Sequence, residues 1–247
     1  MKIICTKDYE EMSQKAASLI AEQICRKADS VLGLATGGTP LGIYRNLAEL
    51  HRSGQLNFSS VTSLNLDEYV GLAPEDSRSY AYFMEQNLFS HVNIKPEHCH
   101  IPSGLAKSVD AECRHYDQLI SVLGGIDLQL LGLGNNGHIG FNEPGTSFDA
   151  ETHCVALSDS TRQANARFFD TIEEVPTHAI TVGIKTIMQA KKILLCVSGE
   201  SKAKILREVL FGPVTPSVPG SILQNHSNLT IIADADACSC LPEEYRR

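Results

Sequence analysis

The chain alternates between short apolar runs and longer segments in which apolar residues recur at helical spacing. In the segment 8–28, for example, one stripe of a helix is formed by Met12, Ala16, Leu19, Ile20 and Ile24. We predict helices over 8–28, 39–54, 79–92, 110–125, 160–172 and 200–212. We predict strands over 30–36, 61–66, 126–134, 177–183, 191–199 and 229–234.

Most of the predicted strands are separated by helical segments, which indicates right-handed crossovers between parallel strands. The sequence has no internal repeat or long linker, and its 247 residues suffice for one large α/β domain or two small ones. We therefore predict an α/β fold with a doubly wound, mostly parallel sheet and helices on both faces, in a single domain over 1–247. Because ligands bind beyond the carboxyl ends of such strands, the residues that follow each strand form the candidate site.

The first predicted strand runs into the glycine-rich turn ATGGTPLG, residues 35–42. Gly37 and Gly38 allow a ligand to approach the backbone, and Thr39 can supply a hydroxyl and also cap the helix that starts at Pro40. A glycine-rich turn at a helix N-terminus favours anions, which predicts a phosphate site. The turn matches neither the P-loop nor the dinucleotide-binding fingerprint, so it does not imply a nucleotide. A tight strand-to-helix turn without a ligand explains the same residues.

The second predicted strand ends in NLDEYVGL, which places Asp67 and Glu68 where the strand stops. A carboxylate at this point, partly shielded by Tyr69 and Leu72, can have a raised pKa and act as a general base. An ordinary polar turn or a helix cap is the alternative interpretation.

The third predicted strand runs into LGLGNNGHIGFNEPG, residues 131–145. Asn135 and Asn136 favour a turn, and His138 and Glu143 follow on the same loop, close enough in sequence for the loop to fold back. A carboxylate near an imidazole fixes its tautomer and tunes its pKa for proton transfer. The loop therefore predicts a catalytic pair of histidine and glutamate, although a lone histidine is more often structural.

Two basic residues are candidates for an anion site. Lys202 follows CVSGES at the predicted start of a helix, where the helix dipole disfavours a lysine unless an anion is also present. Arg167 lies in STRQANARFF, and for each of the two residues a solvated helix charge is the alternative.

His98 and His100 would share one face of a strand, but a third ligand at useful spacing is missing, so we predict no metal site.

Composition restricts the partners and the compartment. The formal net charge of −8 argues against a nucleic acid or a membrane surface as partner, since either would usually require a basic patch. No apolar run approaches the ~20 residues of a membrane span, and the N-terminus turns charged after five residues, unlike a signal peptide. The eight cysteines form no Cys-x-x-Cys pair, and we expect them to be reduced thiols in a cytoplasmic protein.

Five stretches of the sequence together resemble the glucosamine-6-phosphate deaminase family. They are LGLATGGTPLGIYRNL, SLNLDEYVGL, LLGLGNNGHIGFNEPG, STRQANARFF and VSGESKAKIL. The Asp-Glu-Tyr and Gly-His-Ile-Gly-Phe-Asn-Glu-Pro strings are the most specific, and the resemblance covers almost the whole chain. It implies a modified Rossmann-like fold and the conversion of glucosamine 6-phosphate and water to fructose 6-phosphate and ammonia in amino-sugar catabolism, with no cofactor.

The resemblance also implies a role for each matching residue. Asp67 would be the base that moves a proton between C2 and C1 of the open-chain sugar. His138 would open the pyranose ring by transferring a proton to the ring oxygen, and Glu143 would orient and charge that histidine. Asn136 stands where better-known members of the family carry an aspartate in this relay. The residues that the resemblance places around the phosphate are Gly37, Gly38, Thr39, Arg167 and Lys202.

The resemblance bears on oligomeric state as well. In the family branch with longer chains, hexamers are activated by N-acetylglucosamine 6-phosphate through basic side chains just downstream of Asn-Glu-Pro and a longer C-terminal segment. Residues 145–157 of this sequence contain no Lys or Arg, and they carry Asp149 and Glu151. The longer C-terminal segment is missing from this sequence, whose last residues are CLPEEYRR. We therefore expect a monomer that is not allosteric and whose partner is a small sugar phosphate.

Two other functions occur on related folds. A hydrolase of the 6-phosphogluconolactonase type resembles the glycine-rich turn and the Gly-His-Ile segment, but its usual strings have Arg after Asp-Glu and lack the Phe-Asn-Glu-Pro tail. Tyr69 and Glu143 argue against it. A non-catalytic sugar-phosphate sensor would usually carry a helix-turn-helix and basic residues, whereas this sequence keeps Asp67, His138 and Glu143.

Overall fold

The computed structural model describes residues 1–166 and 169–246. The strands of this part of the chain are β1 (Lys2–Thr6), β2 (Val31–Leu34), β3 (Thr62–Asn65), β4 (Asp67–Tyr69), β5 (Cys99–His100), β6 (Leu128–Leu131), β7 (His153–Ala156), β8 (His178–Thr181), β9 (Ile193–Val197) and β10 (Leu229–Asp234). Its α-helices are α1 (Tyr9–Arg26), α2 (Pro40–Arg52), α3 (Tyr80–Asn87), α4 (Val109–Val122), α5 (Asp159–Asn165), α6 (Ile184–Met188), α7 (Ala203–Phe211) and α8 (Ala235–Cys238).

Seven strands form the central sheet in the order β1-β10-β9-β6-β2-β3-β5, and every neighbouring pair in it is parallel. Buried apolar side chains of α1, α2 and α3 pack against one face of this sheet. Those of α4, α7 and α8 pack against the other face. The predicted doubly wound sheet with helices on both faces is therefore confirmed, and its strands bring their carboxyl ends to one edge.

A second sheet of three strands, in the order β4-β8-β7, is antiparallel. The predicted strand over 177–183 belongs to this sheet as β8, and not to the parallel one. Asp67 likewise does not end β3 but begins β4, because the chain leaves the central sheet after Asn65. Alternation of apolar and polar residues identifies a strand but not its partners, which is why the sequence did not separate the two sheets.

Local signals account for most helix boundaries. The Asp8 side chain caps α1 by accepting a hydrogen bond of 2.9 Å from the Glu11 N–H. The predicted stripe of this helix is buried except for Leu19, which is partly buried. Pro40 begins α2, as the sequence predicted. The helix predicted over 160–172 is shorter, since α5 ends at Asn165.

The expectation of eight reduced cysteines is wrong for one pair, because Cys5 and Cys238 form a disulfide. Cys5 pairs in register with Ala233 on the neighbouring strand β10, and α8 follows β10 directly. This short helix turns back over β1 and brings two residues that are 233 positions apart into contact. The other six cysteines are free thiols. In the described ranges, no helix is both long and apolar enough to span a membrane.

Candidate active site

A cavity of about 800 Å³ lies beyond the carboxyl ends of β2, β6 and β9, beside β4. Several elements that are distant in sequence contribute to its wall. The predicted site residues that line it are Gly37, Gly38, Thr39, Asp67, Asn136, His138 and Lys202. Glu143 stands behind this wall and contacts Asn136. Arg167 lies outside the described residues, so the structure leaves that prediction as it was.

Asp67 is the buried acid of the cavity, with 6% of its surface exposed. Burial raises the pKa of its carboxyl group to about 8, and the charge of the neighbouring Glu68 adds to this effect. Glu68 has a different task, because its carboxylate accepts the backbone N–H groups of Tyr69, Tyr80 and Ala81 at 2.8–3.0 Å. Glu68 thus caps α3, and Asp67 alone of the two acids lines the cavity.

His138 lies on a tight turn after β6. The Gly134 N–H donates to the His138 carbonyl at 2.9 Å. A Cβ at Gly134 would come within 2.3 Å of Nε2 of His138, so only glycine leaves room for the imidazole there. Burial lowers the pKa of His138, the Glu143 charge opposes this, and the Lys202 charge lowers it further. The imidazole is therefore predominantly neutral at pH 7 and can accept a proton.

The carboxylate of Glu143 is held from both sides. Its Oε2 accepts a hydrogen bond of 2.7 Å from the Asn136 amide and lies 3.8 Å from Nδ1 of His138. Its Oε1 accepts hydrogen bonds from the hydroxyls of Ser158, at 3.2 Å, and Thr161. Three neutral donors thus fix the direction of this carboxylate relative to the imidazole.

The loop that carries His138 also docks against the strand that carries Asp67. Gly140 has a φ of +58°, and a Cβ there would lie 2.9 Å from the Thr181 hydroxyl and 3.7 Å from Oδ2 of Asp67. The same hydroxyl accepts the Phe141 N–H at 3.0 Å, and Thr181 is the register partner of Asp67. The small sheet therefore joins the two acid–base groups into one packed unit.

Lys202 approaches the cavity from the turn after β9. It immediately precedes α7, which confirms its predicted place at a helix start. The turn is anchored by Asp234, a carboxylate with 5% exposure that accepts the Ser198 hydroxyl and the Gly199 N–H. This cation and the glycine-rich turn before α2 line the same cavity, which suits an anionic ligand.

Other side chains that line the cavity were missed at the sequence level. The polar ones are Tyr9, Thr36, Ser77, Arg78, Ser79, Tyr80, Thr161, Ser198 and Ser201. The rule that ligands bind at strand ends could have found Thr36 and Ser198, which closely follow β2 and β9. Tyr9 has no such signal, because it comes from the start of α1. No group of three or more His, Cys, Asp or Glu side chains within 1–166 and 169–246 could hold a metal ion.

Comparison with known proteins gives the family. The family model of glucosamine-6-phosphate isomerases/6-phosphogluconolactonase matches residues 7–232. The chain belongs to this family. Among its relatives, a glucosamine-6-phosphate deaminase of Lachnoclostridium phytofermentans is 59% identical over 232 residues, which are 94% of this chain and 98% of the relative. One from a Geobacillus species is 56% identical over 247 residues, covering 100% of this chain and 98% of the relative.

Solved structures of the family agree with this assignment. That of a monomeric glucosamine-6-phosphate deaminase superposes with a TM-score of 0.96 at 50% identity, covering 97% of this chain and 100% of the other. A 6-phosphogluconolactonase from Trypanosoma cruzi superposes with a TM-score of 0.78 at 19% identity, over 97% of this chain and 96% of the other. At this low identity, the likeness to the lactonase shows a shared fold and nothing about activity.

Proposed function

We propose that this protein is an enzyme that converts glucosamine 6-phosphate and water to fructose 6-phosphate and ammonia. The proposal rests on one observation: two groups that can transfer protons, a carboxyl group and an imidazole, line the same cavity. Asp67 lines one part of the wall, and His138, backed by Glu143, lines another. The relatives at 59% and 56% identity are glucosamine-6-phosphate deaminases, which supports this assignment.

The first step is ring opening at the neutral imidazole. His138 takes the proton of the C1 hydroxyl and returns a proton to the ring oxygen as the C1–O bond to the ring breaks. Glu143 stabilises the imidazolium that forms between these transfers, since its Oε2 lies 3.8 Å from Nδ1. The product is the open-chain sugar with an aldehyde at C1.

The second step is proton transfer between carbons. The aldehyde acidifies the C2 proton, and ionised Asp67 removes it while the C1 oxygen takes a proton from the C2 ammonium group. Asp67 then delivers its proton to C1, which leaves a protonated imine at C2. Its raised pKa of about 8 makes this carboxylate a stronger base than an exposed aspartate. Water then adds to the imine, and ammonia leaves. C1 is reduced and C2 is oxidised within the same molecule, and ring opening, hydration and ammonia loss change no net oxidation state, so the sequence of steps requires no redox cofactor.

The phosphate binds where the glycine-rich turn and Lys202 line the cavity. Gly37, Gly38 and Thr39 form the turn at the N-terminus of α2, and Lys202 adds a cation. Arg167 is proposed as a second cation on the strength of the family resemblance. These contacts select a sugar that carries a phosphate.

We propose further that the enzyme acts in the cytoplasm as a monomer and as a single domain over 1–247. The 50% identical structure is that of a monomeric deaminase, which supports the monomeric state. The central sheet supports the single domain, because β1 and β10, from the two ends of the chain, are adjacent in it.

The experiment that tests the function is a substrate comparison on the purified protein. Ammonia and fructose 6-phosphate should appear in equal amounts from glucosamine 6-phosphate. Unphosphorylated glucosamine should be a very poor substrate, because the phosphate contacts are lost. Hydrolysis of 6-phosphogluconolactone without ammonia release would support the lactonase instead, and tight binding of glucosamine 6-phosphate without turnover would support a sensor.

A further inference from the structure

Tyr9 contacts the glycine-rich turn of the site, although it lies on a helix and does not follow a strand. It is the first residue of α1, and its hydroxyl oxygen accepts the backbone N–H of Gly42 at 2.7 Å. The same oxygen lies 3.1 Å from the Gly38 carbonyl and 3.2 Å from the Thr39 carbonyl, and its proton is shared between them. One hydroxyl therefore ties the turn to the first turn of α2.

This contact replaces the ordinary cap of α2. A threonine before a helix usually accepts the N–H of the second or third helical residue with its own hydroxyl. The predicted cap by Thr39 is wrong: Thr39 has helical backbone angles, φ −62° and ψ −46°, and in the described part of the chain its side chain makes no such bond. Gly42 is the third residue of α2, so the Tyr9 hydroxyl serves as the cap and the Thr39 hydroxyl is not used for it.

Close packing of the two helices allows Tyr9 to reach this position. A Cβ at Gly42 would lie 2.4 Å from the Ser13 hydroxyl and 3.0 Å from the Tyr9 ring. A larger residue at 42 would therefore push α2 away from α1. An ion pair of 2.7 Å between Glu10 and Arg45 joins the same two helices.

The contact fixes the direction of a backbone donor. In a trans peptide the carbonyl of one residue and the N–H of the next point in opposite directions. Holding the Gly38 carbonyl therefore fixes the Thr39 N–H on the other side of the same peptide plane. The turn has little rigidity of its own, because Gly37 adopts a φ of +100° and Gly38 also lacks a side chain.

We propose that Tyr9 is a positioning residue for the substrate phosphate. Its hydroxyl holds the turn Gly37–Thr39 in the conformation that binds the phosphate, and so removes an ordering cost from binding. Because the phosphate remains bound at the same place throughout the reaction, this effect is equal for substrate and transition state. The inference rests on the proposed deaminase function, of which it explains one binding contact.

The test is Tyr9→Phe, which removes the hydroxyl and keeps the ring. We expect the KM for glucosamine 6-phosphate to rise about fivefold to tenfold, as for the loss of one or two hydrogen bonds, with kcat within about twofold of the parent enzyme. The dissociation constant of orthophosphate, measured by calorimetry, should rise by the same factor. Tyr82→Phe is the matched control, since Tyr82 lies on α3 and does not line the cavity.

A second variant tests the packing that brings Tyr9 to the turn. Gly42→Ala should raise KM by a similar factor, and the double variant should show little additional loss, because both changes break the same contact. Unchanged KM and orthophosphate affinity in Tyr9→Phe would overturn the proposal, and so would a fall in kcat at constant KM. Failure of the parent enzyme to release ammonia would instead refute the proposed function, while the orthophosphate measurement would still decide the role of Tyr9.

Discussion

The side-chain amide of Asn136 donates a hydrogen bond of 2.7 Å to the same oxygen of Glu143 that lies 3.8 Å from Nδ1 of His138. The other end of the amide accepts the backbone N–H of His138 at 3.2 Å. An amide neither releases nor takes up a proton near neutral pH, so Asn136 can hold the two partners in place but cannot carry a proton between them. In the proposed relay, the proton transfer would therefore rest on His138 and Glu143, with Asn136 as their support.

Asn136→Ala removes this support without adding a charge. We expect kcat/KM for glucosamine 6-phosphate to fall about tenfold, because a hydrogen bond to a charged group is lost. Asn136→Asp is the matched variant, because it places a second carboxylate next to Glu143. The activity of this variant should decline as pH rises and both carboxyl groups ionise. Initial rates of ammonia release across pH measure both effects. Full activity of Asn136→Ala at every pH would contradict the supporting role.

His138→Gln should separate ring opening from the chemistry at C2. The amide cannot exchange a proton between the C1 hydroxyl and the ring oxygen, so turnover of the cyclic sugar should be slow. A substrate presented in open-chain form should be much less affected, because Asp67 is intact. Rates on the two forms are compared in the same assay. Equal losses on both forms would argue against this division of labour.

The pH dependence should reflect the burial of Asp67. A general base acts only when ionised, and burial together with Glu68 raises the pKa of Asp67 to about 8. We therefore expect kcat/KM, which reports the free enzyme, to rise with pH and to level off above about 8. Glu68→Gln removes a repelling charge and should move the midpoint to lower pH. A midpoint that stays in place in a folded Glu68→Gln variant would show that Glu68 has no part in the pKa shift.

How far the sequence predicted the site depended on the kind of signal that each residue carried. Asp67 and His138 were found because parallel strands carry ligands at their carboxyl ends, and β4 follows β3 after a single residue. The small sheet was not found, since neither β4 nor β7 stands out as an apolar run. Contacts between distant segments, such as Tyr9 with Gly42, leave no trace in local spacing.

The disulfide was not predicted for the same reason. Cys5 and Cys238 are separated by 233 positions, and nothing in their spacing indicates a pair. Their contact follows from the adjacency of β1 and β10, which only the sheet order reveals. Local patterns thus predicted the longer helices and most strands of the central sheet, but not β1, β4, β7, α6 or α8. Tertiary packing determined which elements meet.

We predict that the enzyme is not activated by N-acetylglucosamine 6-phosphate. Residues 145–157 carry no Lys or Arg, and Asp149 and Glu151 would repel a second phosphate. The structure adds one cation from α6, because Lys185 lies 2.7 Å from the carboxylate of Glu151. This ion pair is already formed and is exposed, so it offers a weak anion site.

The measurement is initial rate against glucosamine 6-phosphate with and without the acetylated sugar phosphate. We expect hyperbolic curves that the second compound changes only by competition. Lys185→Ala should leave these curves as they are. A sigmoidal curve that becomes hyperbolic on addition of the acetylated compound would refute the prediction.

The proposed reaction depends most directly on Asp67 as the base at C2, and the turnover of Asp67→Asn tests this role. The amide keeps the shape of the side chain but cannot accept the C2 proton, so ammonia release should fall at least about 10²-fold. Binding of glucosamine 6-phosphate should persist, because the turn before α2 and Lys202 are unchanged. Near-normal ammonia production by a folded Asp67→Asn protein would contradict the account and move the base to another residue.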